Sequence, residues 1–132
     1  MSQGAYDPTQ LRYSESHEWA HLEGDTVTVG ITQFAVEQLT DLVHVELPAA
    51  GTEVTQGEPF GEIESVKTVS ELIAPVTGTV VEVNEAVQQD VTLISQDPYG
   101  AGWMIRIRVP EGTTLDHLLT YEQYEQQIAE GA

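Results

Sequence analysis

Apolar and polar residues alternate along most of this chain, and the alternation divides it into short strands. Thr26–Ile31 (TVTVGI) is rich in β-branched residues, and a turn at Glu23-Gly24-Asp25 separates it from Glu18–Leu22, so the two segments are predicted to pair as a hairpin. Leu42–Leu47 reads as a strand with Val43, Val45 and Leu47 on one face, ended by Pro48. The loop Pro48–Gln56 follows, with a turn at Gly51. Phe60–Ser65 and Val69–Ile73 alternate on either side of three residues and form a second hairpin, after which Thr79–Val83 is another strand. In Trp103–Val109, Ile105, Ile107 and Val109 share one side while Arg106 and Arg108 face the other.

Helical spacing is confined to short stretches. Thr32 is an N-cap for two turns over Gln33–Leu39, which bury Phe34, Val36 and Leu39 in part. Glu85–Gly102 is a long connection with one helical turn near Val91–Ser95. Thr114 is predicted to cap a C-terminal helix carrying Leu115, Leu118 and Leu119 on one face. Tyr121, Tyr124 and Ile128 continue that helix or begin a second. Residues 1–10 read as a flexible N-terminus, and 11–132 as a single domain. Many short strands punctuated by glycine and proline give a mainly β fold, a small barrel or sandwich.

Charge and composition narrow the chemistry. Four Lys+Arg face 22 Asp+Glu among 132 residues, a net charge of −18. Phosphates would be repelled, so neither nucleic acid nor an anionic membrane surface is an expected partner. The acidity either steers the chain toward basic patches on other proteins or serves solubility alone. There is no cysteine, so any redox sulfur must arrive with a cofactor. His21, His44 and His117 are too scattered for a metal site, and no phosphate-cradling loop, nucleophile elbow or triad pattern occurs.

One residue stands apart. Lys67 is the only lysine, and it falls at the tip of the second hairpin. An ordinary solvated lysine is one reading. A Schiff-base lysine is another, but it needs a desolvated pocket that an exposed tip does not offer. A lysine that must be found and acylated is best placed on an exposed tight turn, and arginine cannot substitute for it as a nucleophile.

Glu64-Ser65-Val66-Lys67, followed by Ala74-Pro75-Val76-Thr77-Gly78 and Val81-Glu82-Val83-Asn84, resembles the lipoyl-attachment region of the glycine cleavage system H proteins. Ser16-His17-Glu18-Trp19, Val29-Gly30-Ile31-Thr32, Val45-Glu46-Leu47-Pro48, Asp97-Pro98-Tyr99-Gly100 and Gly102-Trp103 fall in the same family's order, so the resemblance spans roughly Leu11 to Tyr124. Biotin carriers have a similar hairpin but usually flank the lysine with methionines, where this chain has Val66 and Thr68.

The resemblance implies a flattened barrel/sandwich hybrid of two small antiparallel sheets, lipoyl/biotinyl carrier-like, with a short internal helix and a C-terminal helix. It implies lipoic acid in amide linkage to Lys67, with Glu64, Ser65 and Val66 as the recognition turn. Ser16, Glu18 and Glu71 match a cleft that receives the loaded arm, where carboxylates and a hydroxyl would hold its ammonium. Some members carry a histidine where this chain has Gln38, which can hydrogen-bond but not take a charge. Thr40 stands where glycine is frequent, His44 where an aromatic is, and Val91 and Ser95 where Pro and Asn are. The implied role is a carrier and not an enzyme. It would take the aminomethyl group of glycine from the pyridoxal-phosphate glycine decarboxylase to the tetrahydrofolate-dependent aminomethyltransferase, then pass reducing equivalents to dihydrolipoyl dehydrogenase. A lipoate ligase or a lipoyl/octanoyl transferase would attach the cofactor. A monomer in the bacterial cytoplasm is expected, or a mitochondrial protein if a presequence has been removed. The competing readings are a lipoyl domain of a 2-oxoacid dehydrogenase and an adaptor without cofactor. Against the first stand the Ser16–Trp19 segment and the C-terminal helix.

Overall fold

A computed structural model describes residues 6–131. Nine strands form two antiparallel sheets among these residues. They are β1 (Arg12–Tyr13), β2 (Glu18–Glu23), β3 (Thr26–Ile31), β4 (Leu42–Glu46), β5 (Glu53–Val54), β6 (Pro59–Ser65), β7 (Val69–Ile73), β8 (Gly78–Val83) and β9 (Ile105–Arg108). The larger sheet runs β1-β2-β3-β9-β8-β5 and the smaller β4-β6-β7. Four α-helices decorate them: α1 (Gln33–Leu39), α2 (Glu85–Gln89), α3 (Thr92–Gln96) and α4 (Tyr121–Ala129).

The main core lies between the sheets. Val29, Val80, Ile105 and Ile107 from the larger sheet meet Val45, Ile63 and Leu72 from the smaller, each at most 1% exposed. The Trp103–Val109 alternation is realised in this way, with the strand itself limited to Ile105–Arg108. A second, aromatic cluster of Leu11, Tyr13, Trp19 and Tyr124 sits beneath α4. Trp19 lies flat against its cross-strand partner Gly30, where a Cβ would come within 2.6 Å of the indole, so only glycine fits opposite it. The indole N–H donates to the Pro98 carbonyl at 2.9 Å and anchors that loop.

Four expectations are corrected. First, Val43 is about half exposed, and Leu42 and Val45 are buried in its place. The register shifts between Leu42 and His44 against β6, and the extra residue of the bulge resets which positions face inward. Second, the C-terminal helix begins at Tyr121 under a Thr120–Gln123 capping box, and not at Thr114. Leu119 is committed to pairing with Tyr13, each N–H donating to the other's carbonyl at 2.7 and 2.9 Å, which keeps the preceding segment out of a helix. Third, the connection after Val83 holds two short helices, the first capped by Asn84, whose side chain accepts from the Ala86 N–H. Fourth, of the ten N-terminal residues expected to be flexible, 1–5 lie outside the described residues, while 6–10 are docked. Tyr6 packs 5.4 Å from Trp19, its N–H donates to the Tyr99 carbonyl, and Pro8–Gln10 form a 3₁₀ turn. The pair β5, two residues long, was too short to register in the sequence pattern.

Thr40 ends α1 at φ 66° and ψ −124°, a conformation suited to glycine and costly for a β-branched residue. Thr40→Gly is therefore expected to stabilise the fold by about 1 kcal/mol, the relief of left-handed strain less the extra entropy of an unfolded glycine. Urea denaturation at equilibrium reads this directly, and a lower midpoint for the variant would contradict it.

Candidate functional site

The hairpin tip is built by one serine. Ser65 ends β6 and is 4% exposed, while its hydroxyl accepts from the N–H groups of Lys67 and Thr68, both at 3.2 Å. Its own N–H donates to the Thr68 carbonyl at 2.8 Å. A short polar side chain is needed here because it replaces the backbone partners that a two-strand ladder loses at its end. The Val66 N–H is pinned from outside by the Asp41 carbonyl at 2.9 Å, in the corner between α1 and β4. Lys67, Val66 and Glu64 all point to solvent, Val66 with 64% of its surface exposed. The backbone of the turn is thus fixed while its one primary amine is free to be reached.

Ser16, Glu18, Gln38 and Glu71, distant in sequence, line a single cleft of ≈ 370 Å³. Ser16 and Glu18 come from the entry to β2, Gln38 from α1, and Glu71 with Ser70 from β7; Ile31, Leu39, Ile63 and Leu72 are apolar lining. Glu71 stands exposed, directly opposite Glu62 in the β6–β7 ladder. It lies four residues down the strand from Lys67, about 13 Å at the usual rise per residue.

Glu18 differs from the other three. Its carboxylate is 1% exposed and accepts three hydrogen bonds: Ser14 Oγ at 2.5 Å and Ser16 Oγ at 2.6 Å on one oxygen, and the Ile73 N–H at 2.9 Å on the other. Ile73 ends β7, an edge strand of the smaller sheet, so this carboxylate ties the two sheets together. Burial pushes the Glu18 carboxyl above its usual range, and the Ile73 N–H and the two serine hydroxyls only partly oppose this. The charged form is therefore only partly compensated by its donors. A carboxylate has about four lone-pair sites, of which three are occupied.

Sequence reasoning missed the support behind these residues. Ser14 and Ile73 hold Glu18, and Tyr124 holds His17 and Thr32, of which only the capping role of Thr32 was read from the sequence; Ser14 apart, no local spacing relates these supports to the residues they hold. Gln38 is exposed on the cleft side of α1, where an amide can donate or accept. Among the described residues no group of three or more His, Cys, Asp and Glu is placed to hold a metal ion.

A family model described as glycine cleavage H-protein matches residues 11–131. A glycine cleavage system H protein of Geobacillus sp. (strain WCH70) is 52% identical over 124 residues, covering 94% of this chain and 98% of that one. The H protein of Staphylococcus carnosus (strain TM300) is 46% identical over 123 residues, covering 93% and 98%. The crystal structure of a glycine cleavage system H protein from Mycobacterium marinum superposes with a TM-score of 0.85 at 43% identity, covering 93% of this chain and 99% of that one.

The burial of Glu18 makes two outcomes testable. Glu18→Ala leaves the partly buried Ile73 N–H unpaired and should cost about 2–4 kcal/mol, whereas Glu71→Ala at the exposed rim should stay within about 0.5 kcal/mol. The carboxyl of Glu18 has its folded pKa raised, so the folded state holds its proton more tightly than the unfolded state. Its contribution is therefore most favourable in acid and is lost as pH rises from the ordinary value of 4.5 through the raised folded one. Wild type should gain stability relative to Glu18→Gln as pH falls through that window. A difference independent of pH, read from denaturation midpoints, would contradict the buried charge.

Proposed function

This chain belongs to the glycine cleavage H-protein family, and on that premise we propose that it is the lipoyl carrier of the system, with lipoic acid in amide linkage to Lys67. The observation that carries the reading is the pairing of one exposed lysine on a rigid turn with a cleft, further down the same hairpin, that gathers Ser16, Glu18, Gln38 and Glu71. The residues fit the group. The amine is accessible, no other lysine competes for it, and the chain has no sulfur of its own beyond two methionines. When bound, the lipoyl group supplies a disulfide that accepts an aminomethyl unit and afterwards carries two electrons.

The chain's own contribution is position and shelter. Ser65 and the Asp41 carbonyl fix the turn so that an attaching enzyme meets Lys67 in one geometry, with Glu64 and Val66 displayed beside it. The cleft holds an ammonium near the Glu71 carboxylate, the Ser16 hydroxyl and the remaining lone pair of Glu18, with Gln38 as a neutral partner. Its apolar lining keeps water from the arm. Catalysis belongs to the partners: glycine decarboxylase, the aminomethyltransferase and dihydrolipoyl dehydrogenase, with a lipoate ligase or lipoyl/octanoyl transferase acting first. The carrier works as a monomer, and its bacterial relatives support a cytoplasmic setting.

Intact mass after incubation with a lipoate ligase, lipoate and ATP tests the attachment. Wild type should gain one lipoyl group. Lys67→Arg should gain none, support no glycine cleavage and keep wild-type stability within about 0.5 kcal/mol. Ser65→Ala should be lipoylated more slowly, because the turn loses three hydrogen bonds between the hydroxyl and its backbone. A lipoyl adduct on Lys67→Arg would refute the assignment.

A further inference from the structure

A closed polar ring stands behind the cleft. The Tyr124 hydroxyl on α4 lies 2.8 Å from His17 Nδ1 and 2.7 Å from Thr32 Oγ1. The Thr32 N–H donates to the His17 carbonyl at 3.0 Å and completes the ring. Thr32 is fully buried and Tyr124 nearly so. The protons balance with Nδ1 unprotonated, where each hydroxyl proton has an acceptor; with Nδ1 protonated, the buried Thr32 hydroxyl proton has none among these groups. With Nδ1 unprotonated, Tyr124 donates to it and Thr32 donates to Tyr124. With Nδ1 protonated, the imidazole donates to Tyr124, which donates to Thr32. Thr32 Oγ1 accepts the Ala35 N–H at 3.1 Å in both cases.

The two residues bridged by this hydroxyl belong to the two segments that line the cleft from the β2 entry and from α1. His17 stands between Ser16 and Glu18. Thr32 is the N-cap of α1, the helix that presents Gln38. His17 adopts φ 79°, a left-handed conformation that a non-glycine residue holds only where its surroundings over-determine it. Its N–H donates to the Ser14 carbonyl at 3.1 Å, and its ring lies 4.9 Å from Phe34 and edge-on to Tyr124. Tyr124 has a base of its own, since its ring stacks on Tyr13 at 4.5 Å and 8°. The hydroxyl can thus be removed without removing the packing that seats α4.

We infer that Tyr124 is a positioning residue for the arm cleft, its hydroxyl bridging His17 and Thr32 and thereby fixing the Ser16–Glu18 wall against the α1 wall. The inference rests on the reading of the cleft as the berth of the loaded arm. It also gives α4 a task in the carrier, that of a strut behind the site.

The test compares Tyr124→Phe with Tyr13→Phe. The control removes the other hydroxyl of the same stacked pair, one that donates to the Pro8 carbonyl and not to either wall. Hydrogen exchange on the unlipoylated protein comes first. Tyr124→Phe should speed exchange of the Thr32 and Ala35 amides while leaving β6 and β7 unchanged, and Tyr13→Phe should leave Thr32 and Ala35 at wild-type rates. Formaldehyde release from the purified loaded protein follows, without the transferase present. Release should be on the order of fivefold faster in Tyr124→Phe, the factor equivalent to one buried hydrogen bond, and unchanged in Tyr13→Phe. Unaltered exchange in Tyr124→Phe, or equal changes in both variants, would overturn the positioning role. Glu71→Gln reports on the berth separately: wild-type release from that variant and from Tyr124→Phe alike would mean that the sheltering cleft is what fails, even with the exchange result in place.

Discussion

A carboxylate buried between two sheets is an expensive feature, and much of this structure is arranged around making it tolerable. Glu18 leaves the larger sheet at the start of β2 and takes the Ile73 N–H from the edge of the smaller one. Ser14 and Ser16 complete its shell. An edge N–H left open inside the molecule would cost free energy of the order of a lost hydrogen bond, so the carboxylate and the sheet edge satisfy each other. What remains is the cost of burial, which pushes the carboxyl pKa above its ordinary value. A structural clamp with spare negative character beside a cleft suits a transient cation, and the same group accounts for sheet docking and for the character of the site.

Rigidity near Lys67 has a related origin. The hairpin that carries Lys67 is fastened at its tip by Ser65 and at its flank by the Asp41 carbonyl. Asp41 follows Thr40, whose strained backbone turns the chain from α1 into β4. The helix that contributes Gln38 to the cleft is thus joined through a single corner to the turn that presents the amine. In the proposed carrier role, acylation would need an exposed, well-defined target, and sheltering the product would need a groove at a fixed distance from it. The corner supplies both constraints with few residues.

The strands were legible because each buries one face, and period-2 alternation follows from that alone. Thr26–Ile31 and the pair flanking Lys67 needed no tertiary information. Val43 was misplaced because a bulge is a property of two paired strands, and β4 read alone gives no sign of it. The C-terminal helix was started too early because Leu115, Leu118 and Leu119 have helical spacing, while the pairing of Leu119 with Tyr13 is long-range. Asn84 before Glu85 was a capping signal present in the sequence that the length of the connection obscured. For the site, Lys67 stood out by being unique, and the Ser16, Glu18 and Glu71 positions came from family resemblance. That Glu18 is spent on three donors, and that Tyr124 stands behind the wall, depend on contacts across 55 and 107 residues of sequence.

In the proposed carrier role, a group on Lys67 lies along the hairpin in the Ser16–Glu18–Gln38–Glu71 cleft once it is loaded. Amide chemical shifts of the unmodified, lipoylated and loaded protein, compared by NMR, test it most directly. Lipoylation alone should perturb the Val66–Thr68 amides, and loading should add shifts at Ser16, Glu18, Ala35, Gln38, Ser70 and Glu71. Shifts confined to Val66–Thr68 in the loaded protein would show an arm that stays in solvent and would contradict the account.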